Sequence, residues 1–294
     1  MPRFGYPVVS VLLNRTTNRT CRLKSATPEK LRDLITQNLD DLAAILAHNA
    51  LQGWALFRIG SSVIPFASHP DVDFDWRAEF RLQLEACGQF ARARDLRLSM
   101  HPGQYTVLNS PDEDTAHAAV AELVYSADLL DMMGLDARHK IVLHIGGVYG
   151  DKPAATARFV ENAAALPFNV RARLVIEHDE RQYNLAEVLD ISAQTGLPVV
   201  YDNLHHDLNP SPQPLDELLP RVFATWRDVD GPPKVHFSSQ AVGERPGKHA
   251  EFADQAEFQA MLASCKPFGE FDVMLELKGK DAALRQALER IPVR

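Results

Sequence analysis

The stretch Lys140-Ile141-Val142-Leu143-His144-Ile145-Gly146-Gly147 decides the fold. Its apolar run is too short for a buried helix, carries β-branched residues, and stops at a Gly-Gly turn. A helical pattern near residues 154–166 follows. A short Val/Ile/Leu-rich run with weak alternation reads as a parallel strand buried on both faces, and the helix after it reads as its crossover. Working outward, the same event recurs. Strand-like runs lie at 4–13, 55–59, 96–100, 140–145, 172–177, 198–202, 234–237 and 271–277. Helix-like runs follow them, the first opened by Thr27-Pro28 as an N-cap with proline at the first helical position, with Leu31, Leu34, Leu39, Leu42, Ile45 and Leu46 forming its apolar face. The others are near 76–94, 116–133, 154–166, 185–195 (closed by Gly196), 215–223, 255–263 and 282–290. Eight βα units in one chain predict an α/β fold, a (β/α)8 TIM barrel occupying residues 1–294 as a single domain. A doubly wound open sheet is the competing reading.

The strand ends favour the barrel. His101, His144, Glu177, Asp202, His236 and Glu276 stand at or beside the ends of six successive strand-like runs. An open sheet would spread them along an edge, whereas a barrel gathers its C-terminal strand ends at one mouth. Any one of the 11 histidines, taken singly, reads as a satisfied core residue. Several carboxylates buried beside histidines without a cation would be costly, so the group reads as a divalent metal site. His205, three residues past Asp202, and His249, in the loop after the seventh strand, fit the same group. Eight candidate ligands exceed the roughly four to six that one ion accepts, which implies two or three ions sharing a carboxylate. Closely spaced ions suit phosphoryl hydrolysis.

Composition sets the remaining bounds. With 294 residues, 46% hydrophobic, the chain can fill one barrel-sized core. No apolar run is long enough to span a bilayer, and Met1-Pro2-Arg3-Phe4 does not open a signal peptide, so a cytoplasmic protein without a membrane partner is expected. Cys21, Cys87 and Cys265 have neither disulfide-framework nor zinc-knuckle spacing. The net charge of −8 argues against a polyanionic partner, yet charge is segregated: residues 1–28 carry Arg3, Arg15, Arg19, Arg22 and Lys24 with no acid, and the segment from Lys278 to Arg294 is also basic. Solvated faces would look the same.

The segments Met100-His101-Pro102-Gly103-Gln104-Tyr105, Leu143-His144-Ile145-Gly146-Gly147, Glu177-His178-Asp179-Glu180-Arg181, Asp202-Asn203-Leu204-His205-His206, Lys234-Val235-His236-Phe237-Ser238-Ser239-Gln240 and Glu276-Leu277-Lys278-Gly279-Lys280 together resemble the UV damage endonuclease family. So do Gly5-Tyr6-Pro7, Thr16-Thr17-Asn18-Arg19-Thr20, Phe57-Arg58-Ile59-Gly60 and Pro65-Phe66-Ala67-Ser68-His69-Pro70, and the resemblance runs from about residue 3 to 280. The wider superfamily shares the barrel with apurinic endonucleases and sugar isomerases.

The resemblance implies a Mn2+-dependent repair enzyme that nicks DNA directly 5′ to cyclobutane pyrimidine dimers, (6-4) photoproducts and some abasic sites. Its partner would be UV-damaged double-stranded DNA, with the protein acting as a monomer without an obligate protein partner and joining the nucleoid when bound. It implies one ion on His101, His144 and Glu177, a second on Glu177, Asp202, His236 and Glu276, and a third on His205 and His249. Such ligands also accept Zn2+, Co2+ or Fe2+. Lys234 matches a family lysine that is carboxylated near the metals, and His69 a histidine of the mouth. These two and Glu177 form the implied catalytic set. Gln104 and Tyr105, projecting past a ligand histidine and a Pro-Gly turn, could fill the gap left by an extruded, weakly stacked lesion. Tyr6 and Ser10 complete the implied DNA-contact set. Ser10 stands where the family has Asn, and His178 where it has Asn after the ligand glutamate. The two alternatives are a sugar isomerase or epimerase with a closed small-molecule pocket, and a DNA-damage binding protein without catalysis.

Overall fold

The computed structural model describes residues 2–290. Eight parallel strands close into a barrel: β1 (Arg3–Pro7), β4 (Leu56–Arg58), β5 (Arg97–Met100), β6 (Lys140–His144), β7 (Leu174–Glu177), β8 (Val199–Asp202), β9 (Lys234–Phe237) and β10 (Asp272–Leu275). The two missing numbers, β2 (Val9–Ser10) and β3 (Arg15–Thr16), form a small antiparallel hairpin outside the barrel. The helices are α1 (Pro28–Gln52), α2 (Trp76–Glu79), α3 (Arg81–Ala93), α4 (Glu113–Met132), α5 (Lys152–Ala165), α6 (Phe168–Arg173), α7 (Leu185–Thr195), α8 (Asn203–Leu208), α9 (Leu215–Ala224), α10 (Gln255–Cys265) and α11 (Lys280–Glu289). No helix among the described residues is long and apolar enough to cross a membrane. The (β/α)8 barrel expected from the sequence is the fold observed, and the open sheet is excluded by the β1–β4 pairing that closes it.

Side chains alternate along each strand, so every second residue enters the barrel. Register then stacks the interior in layers. His144 pairs with Glu177 and Asp202 with His236 across neighbouring strands. Two residues earlier come Val142, Val175 and Val200, which are fully buried and pack with Trp226. These valines line part of the barrel interior below the mouth.

Four departures from the sequence reading have local causes. The first strand stops at Pro7 rather than running to Leu13, because Val8 takes φ 70° and turns the chain out into the β2–β3 hairpin. The helix expected over 76–94 is broken at Phe80 (φ −106°, ψ 12°), whose ring is buried. Helix α4 starts before residue 116 because Asp112 caps it, accepting from the Thr115 N–H at 2.8 Å. The short helices α6 and α8 were not expected; α8 is opened by Asp202 itself, whose carboxylate accepts the His205 N–H at 2.9 Å.

Candidate metal centre

Each mouth residue reaches the centre from a strand end or the loop directly after it. His101 follows β5, His144 ends β6, Glu177 ends β7, Asp202 ends β8, and Glu276 follows β10. His236 lies one residue inside the end of β9 and is fully buried. Gly146, just past His144, has φ 108°, and a Cβ there would lie 2.4 Å from Asn109 Oδ1, so the turn leaving β6 requires glycine.

Glu177 is the hub. Its Oε2 lies 3.1 Å from His101 Nε2 and 3.7 Å from His144 Nε2, while its Oε1 lies 2.6 Å from His236 Nδ1 and 3.8 Å from His205 Nδ1. Three clusters of candidate ligand atoms share it: His101, His144 and Glu177; Glu177, Asp202 and His205; and Glu177, His236 and Glu276. This differs from the expected partition. Asp202 clusters with His205 rather than with His236 and Glu276, because the first turn of α8 folds His205 back over its own cap. His249 joins none of the three clusters among the described residues; its Nδ1 lies 2.5 Å from the Glu276 carbonyl oxygen.

The electrostatics favour a cation. Burial pushes the Glu177 carboxyl up, but His236, His144 and His101 outweigh it and hold the group well below the carboxylate range. Burial pushes His101 down to about 4, so it is a neutral donor at pH 7. His205 is driven the other way, up to about 9: burial opposes, but Asp202, Glu177, Glu276 and Glu180 prevail. The field that draws a proton to His205 is the field that would draw a divalent ion. Asp202 Oδ2 and His144 Nδ1 are buried without a hydrogen-bond partner among the described residues, and such orphans are expensive unless something coordinates them. The donor set therefore fits divalent ions held by imidazole and carboxylate.

One member was missed from the sequence. Arg58, at the end of β4, is buried, and its Nη2 lies 2.5 Å from Glu276 Oε1 and 2.9 Å from His236 Nε2. The strand-end position that singled out the six ligands would have found it too, had cations been sought there.

The profile of the UV-endonuclease UvdE family matches residues 2–292. The chain belongs to this family. A UV DNA damage endonuclease of Clostridium perfringens (strain 13 / Type A) is 40% identical over 281 residues, 95% of this chain and 68% of that protein. The crystal structure of SacUVDE superposes with a TM-score of 0.92 at 36% identity, covering 98% of both chains. An L-ribulose 3-epimerase structure reaches a TM-score of 0.60 at 15% identity, covering 100% of this chain and 88% of that one, which is a likeness of fold alone. The endonuclease expected from the sequence is thus supported as a family assignment, and the sugar epimerase reading keeps only the barrel.

Within this family frame, the remaining expected residues sort by exposure. Gln104 and Tyr105 occupy the two central positions of a β-turn closed by Thr106 N–H to the Gly103 carbonyl at 2.9 Å, and Tyr105 is 68% exposed. His69 sits in the loop after β4 and shares a cavity wall with Tyr105; its Nδ1 accepts the Asp71 N–H at 3.2 Å. Two of the expected DNA contacts are enclosed in this structure. Tyr6 is fully buried, and its hydroxyl donates to Asn49 of α1 at 2.9 Å. Ser10 is also fully buried, its hydroxyl donating to Asp281.

His178, the other departure from the family, is enclosed and uncharged: burial pushes its pKa far down. Its Nε2 accepts the Asp202 N–H at 3.0 Å, and its carbonyl lies 3.0 Å from His205 Nδ1. It orients two candidate ligands without being one. Lys234 lies two residues below His236 on the same inward face, with no hydrogen-bond partner for its Nζ among the described residues. Burial, reinforced by Arg97 and Arg58 against the opposing Asp272, pushes its pKa well down.

Proposed function

We propose that this protein is a Mn2+-dependent endonuclease that nicks duplex DNA immediately 5′ to cyclobutane pyrimidine dimers, (6-4) photoproducts and some abasic sites. The observation that carries the reading is the set of three His/carboxylate clusters sharing Glu177 at the mouth of a UV-endonuclease barrel. The relatives' description as UV DNA damage endonucleases supports the substrate class.

His101, His144, Glu177, Asp202, His205, His236 and Glu276 would hold the ions, with His249, whose Nδ1 lies 2.5 Å from the Glu276 carbonyl oxygen, at the outer edge. When bound, divalent ions supply an activated water and offset the charge on the leaving oxygen. The protein's own part is positional. Glu177 fixes the two sides of the centre through its two oxygens. His178 holds Asp202 and His205 in place, and Arg58 holds Glu276 while adding a positive charge that a scissile phosphate can meet.

Lys234 supports the carboxylation inferred from the family resemblance. A depressed pKa favours the unprotonated amine, the form whose Nζ adds CO2 with loss of a proton to solvent, and Arg58 and Arg97 supply positive charge to accept the resulting carbamate anion. The exposed Gln104-Tyr105 turn is proposed to enter the duplex where a lesion has weakened stacking, so that recognition follows deformability rather than base-edge hydrogen bonds. His69 is proposed to line the mouth beside it.

Incubation with Mn2+ and an irradiated duplex oligonucleotide tests the reading. A single nick 5′ to the dimer is expected, and an intact strand under conditions that cleave with an established family member would overturn it. Mass measurement of the intact chain in bicarbonate buffer tests Lys234: a labile addition lost on Lys234→Met supports carboxylation, and its absence from the wild type refutes it.

A further inference from the structure

The β2–β3 hairpin has a construction that the proposed chemistry does not use. Its base, Val8, adopts φ 70°, a conformation that β-branched residues avoid and that persists only where the surroundings enforce it. The enforcing contacts are present: the Val8 N–H donates to the Arg58 carbonyl at 2.8 Å, and the Val8 carbonyl accepts the Thr17 N–H at 3.1 Å. Asp281, fully buried in the first turn of α11, anchors the tip. Its carboxylate accepts the Ser10 hydroxyl, the Val11 N–H at 2.7 Å, the Leu12 N–H at 3.4 Å and the Ala282 N–H at 3.1 Å. Four donors thus converge on one buried carboxylate in the first turn of a helix, an arrangement that stabilises the anion and fixes the tip.

What the anchor holds outward is apolar. Val11 is 51% exposed and Leu12 37%, while Leu13 turns inward against the core. The hairpin stands at the mouth, since it leaves the C-terminal end of β1, and its anchor Asp281 follows the C-terminal end of β10. Only β4 separates β1 from β5, after which the Gln104-Tyr105 turn projects. The flanking chain is the acid-free segment with Arg15, Arg19, Arg22 and Lys24. Arg15 and Arg19 share one carboxylate, Asp41, each at 2.6 Å, which leaves the pair net positive.

We propose that the Val11-Leu12 tip is a second apolar contact on the DNA, seated in the groove of the duplex beside the Gln104-Tyr105 turn, with Ser10 and Asp281 as its positioning residues. This rests on the reading of the mouth as a duplex-binding site. A preorganised aliphatic tip flanked by cations is the arrangement by which proteins wedge a groove or a base step, while the cations meet phosphates on either side. It also gives the Ser10 hydroxyl a role in DNA binding without contact.

The test compares the wild-type, Mn2+-loaded protein with the V11S/L12S double variant, reading anisotropy of a fluorescein-labelled duplex that carries one cyclobutane dimer and a non-hydrolysable linkage at the cut. The variant is expected to bind about tenfold more weakly, with unchanged Tm and bound Mn2+ and the same dependence of log Kd on log salt, because apolar area and no charge is removed. Leu12→Met should bind within about twofold of wild type, and Ser10→Ala should fall between. Equal binding by wild type and V11S/L12S overturns the hairpin contact and leaves the duplex reading standing, as when another macromolecule covers the tip. A shallower salt slope in the variant overturns it in favour of cation placement. A wild type that does not bind the damaged duplex sinks both. If V11S/L12S loses Tm, Leu12→Asn against Leu12→Met decides by the same criterion.

Discussion

The two ends of the barrel are built from similar residue types and do opposite things with them. At the lower end, Asp272 accepts Arg97 at 2.6 Å and Arg3 at 2.9 Å, and Asp230 accepts Lys140 at 2.6 Å and Arg227 at 2.9 Å. Arg97 spends its other donors on the carbonyls of Arg138, Pro232 and Asp230. Every charge named there has a partner. At the mouth, acids face histidines, Asp202 Oδ2 and His144 Nδ1 have no partner among the described residues, and the guanidinium of Arg58 meets Glu276. The difference teaches that one end is complete as a folded chain, whereas the other acquires its complement by binding. Barrel enzymes separate stability from chemistry along this axis.

Four measurements can break or sharpen that contrast. Glu177→Gln replaces one oxygen of the carboxylate shared by all three clusters with an amide and should lower single-turnover cleavage by a factor of at least about 10^3, with bound metal falling in parallel. Full cleavage by this variant would end the hub reading. Asp272→Asn at the other end should instead cost about 3–5 kcal/mol by urea denaturation, since Arg97 is left buried without its counter-charge, while metal content stays as in the wild type. Metal loss before stability loss would erase the distinction.

The third concerns pH. His139, just before β6, is buried, and its Nδ1 accepts the Leu98 N–H at 2.9 Å. Burial pushes it down to about 3 from an ordinary value of 6.5, with Arg97 adding to the fall and Asp136 opposing it. The folded form thus stays neutral where the unfolded chain gains a proton. The stability it contributes is present above pH 6.5 and is lost as pH falls from there toward 3, at up to about 1.4 kcal/mol per pH unit. His139→Asn should flatten that slope in metal-free urea titrations between pH 7 and 5. An unchanged slope would assign acid sensitivity to the mouth histidines.

The smallest effect on the fold is expected at Tyr105. Tyr105→Ala should move stability by no more than about 0.5 kcal/mol, because the ring is mostly exposed. Discrimination between damaged and intact duplex should nevertheless fall by roughly tenfold, and bound Mn2+ should not change. Equal loss of metal would remove the probing role.

The barrel and its ligands were legible because both obey a short period. Apolar runs such as 140–145 carry the strand signal, and strand ends must converge in a closed barrel, so His101, His144, Glu177, Asp202, His236 and Glu276 could be grouped without coordinates. Ligand partition was not legible, since it depends on how α8 folds His205 onto Asp202. The burial of Tyr6 was not legible either, since the resemblance that named it does not say which side of β1 its ring packs on. The hairpin was hidden by its composition: Val8 to Leu13 reads as a continuation of the strand, and only a conformation unfavourable for valine turns it out. The part of the basic tail beyond residue 290 lies outside the described residues.

Sharing one carboxylate among three clusters also fixes how the centre can fill. Each Glu177 oxygen faces more than one imidazole, so the first cation to arrive weakens the attraction for the next, and loading on the proposed reading is anti-cooperative. If two or more ions bind, occupancy would then rise in steps with metal supply, and the last ion taken up would be the first surrendered to a chelator.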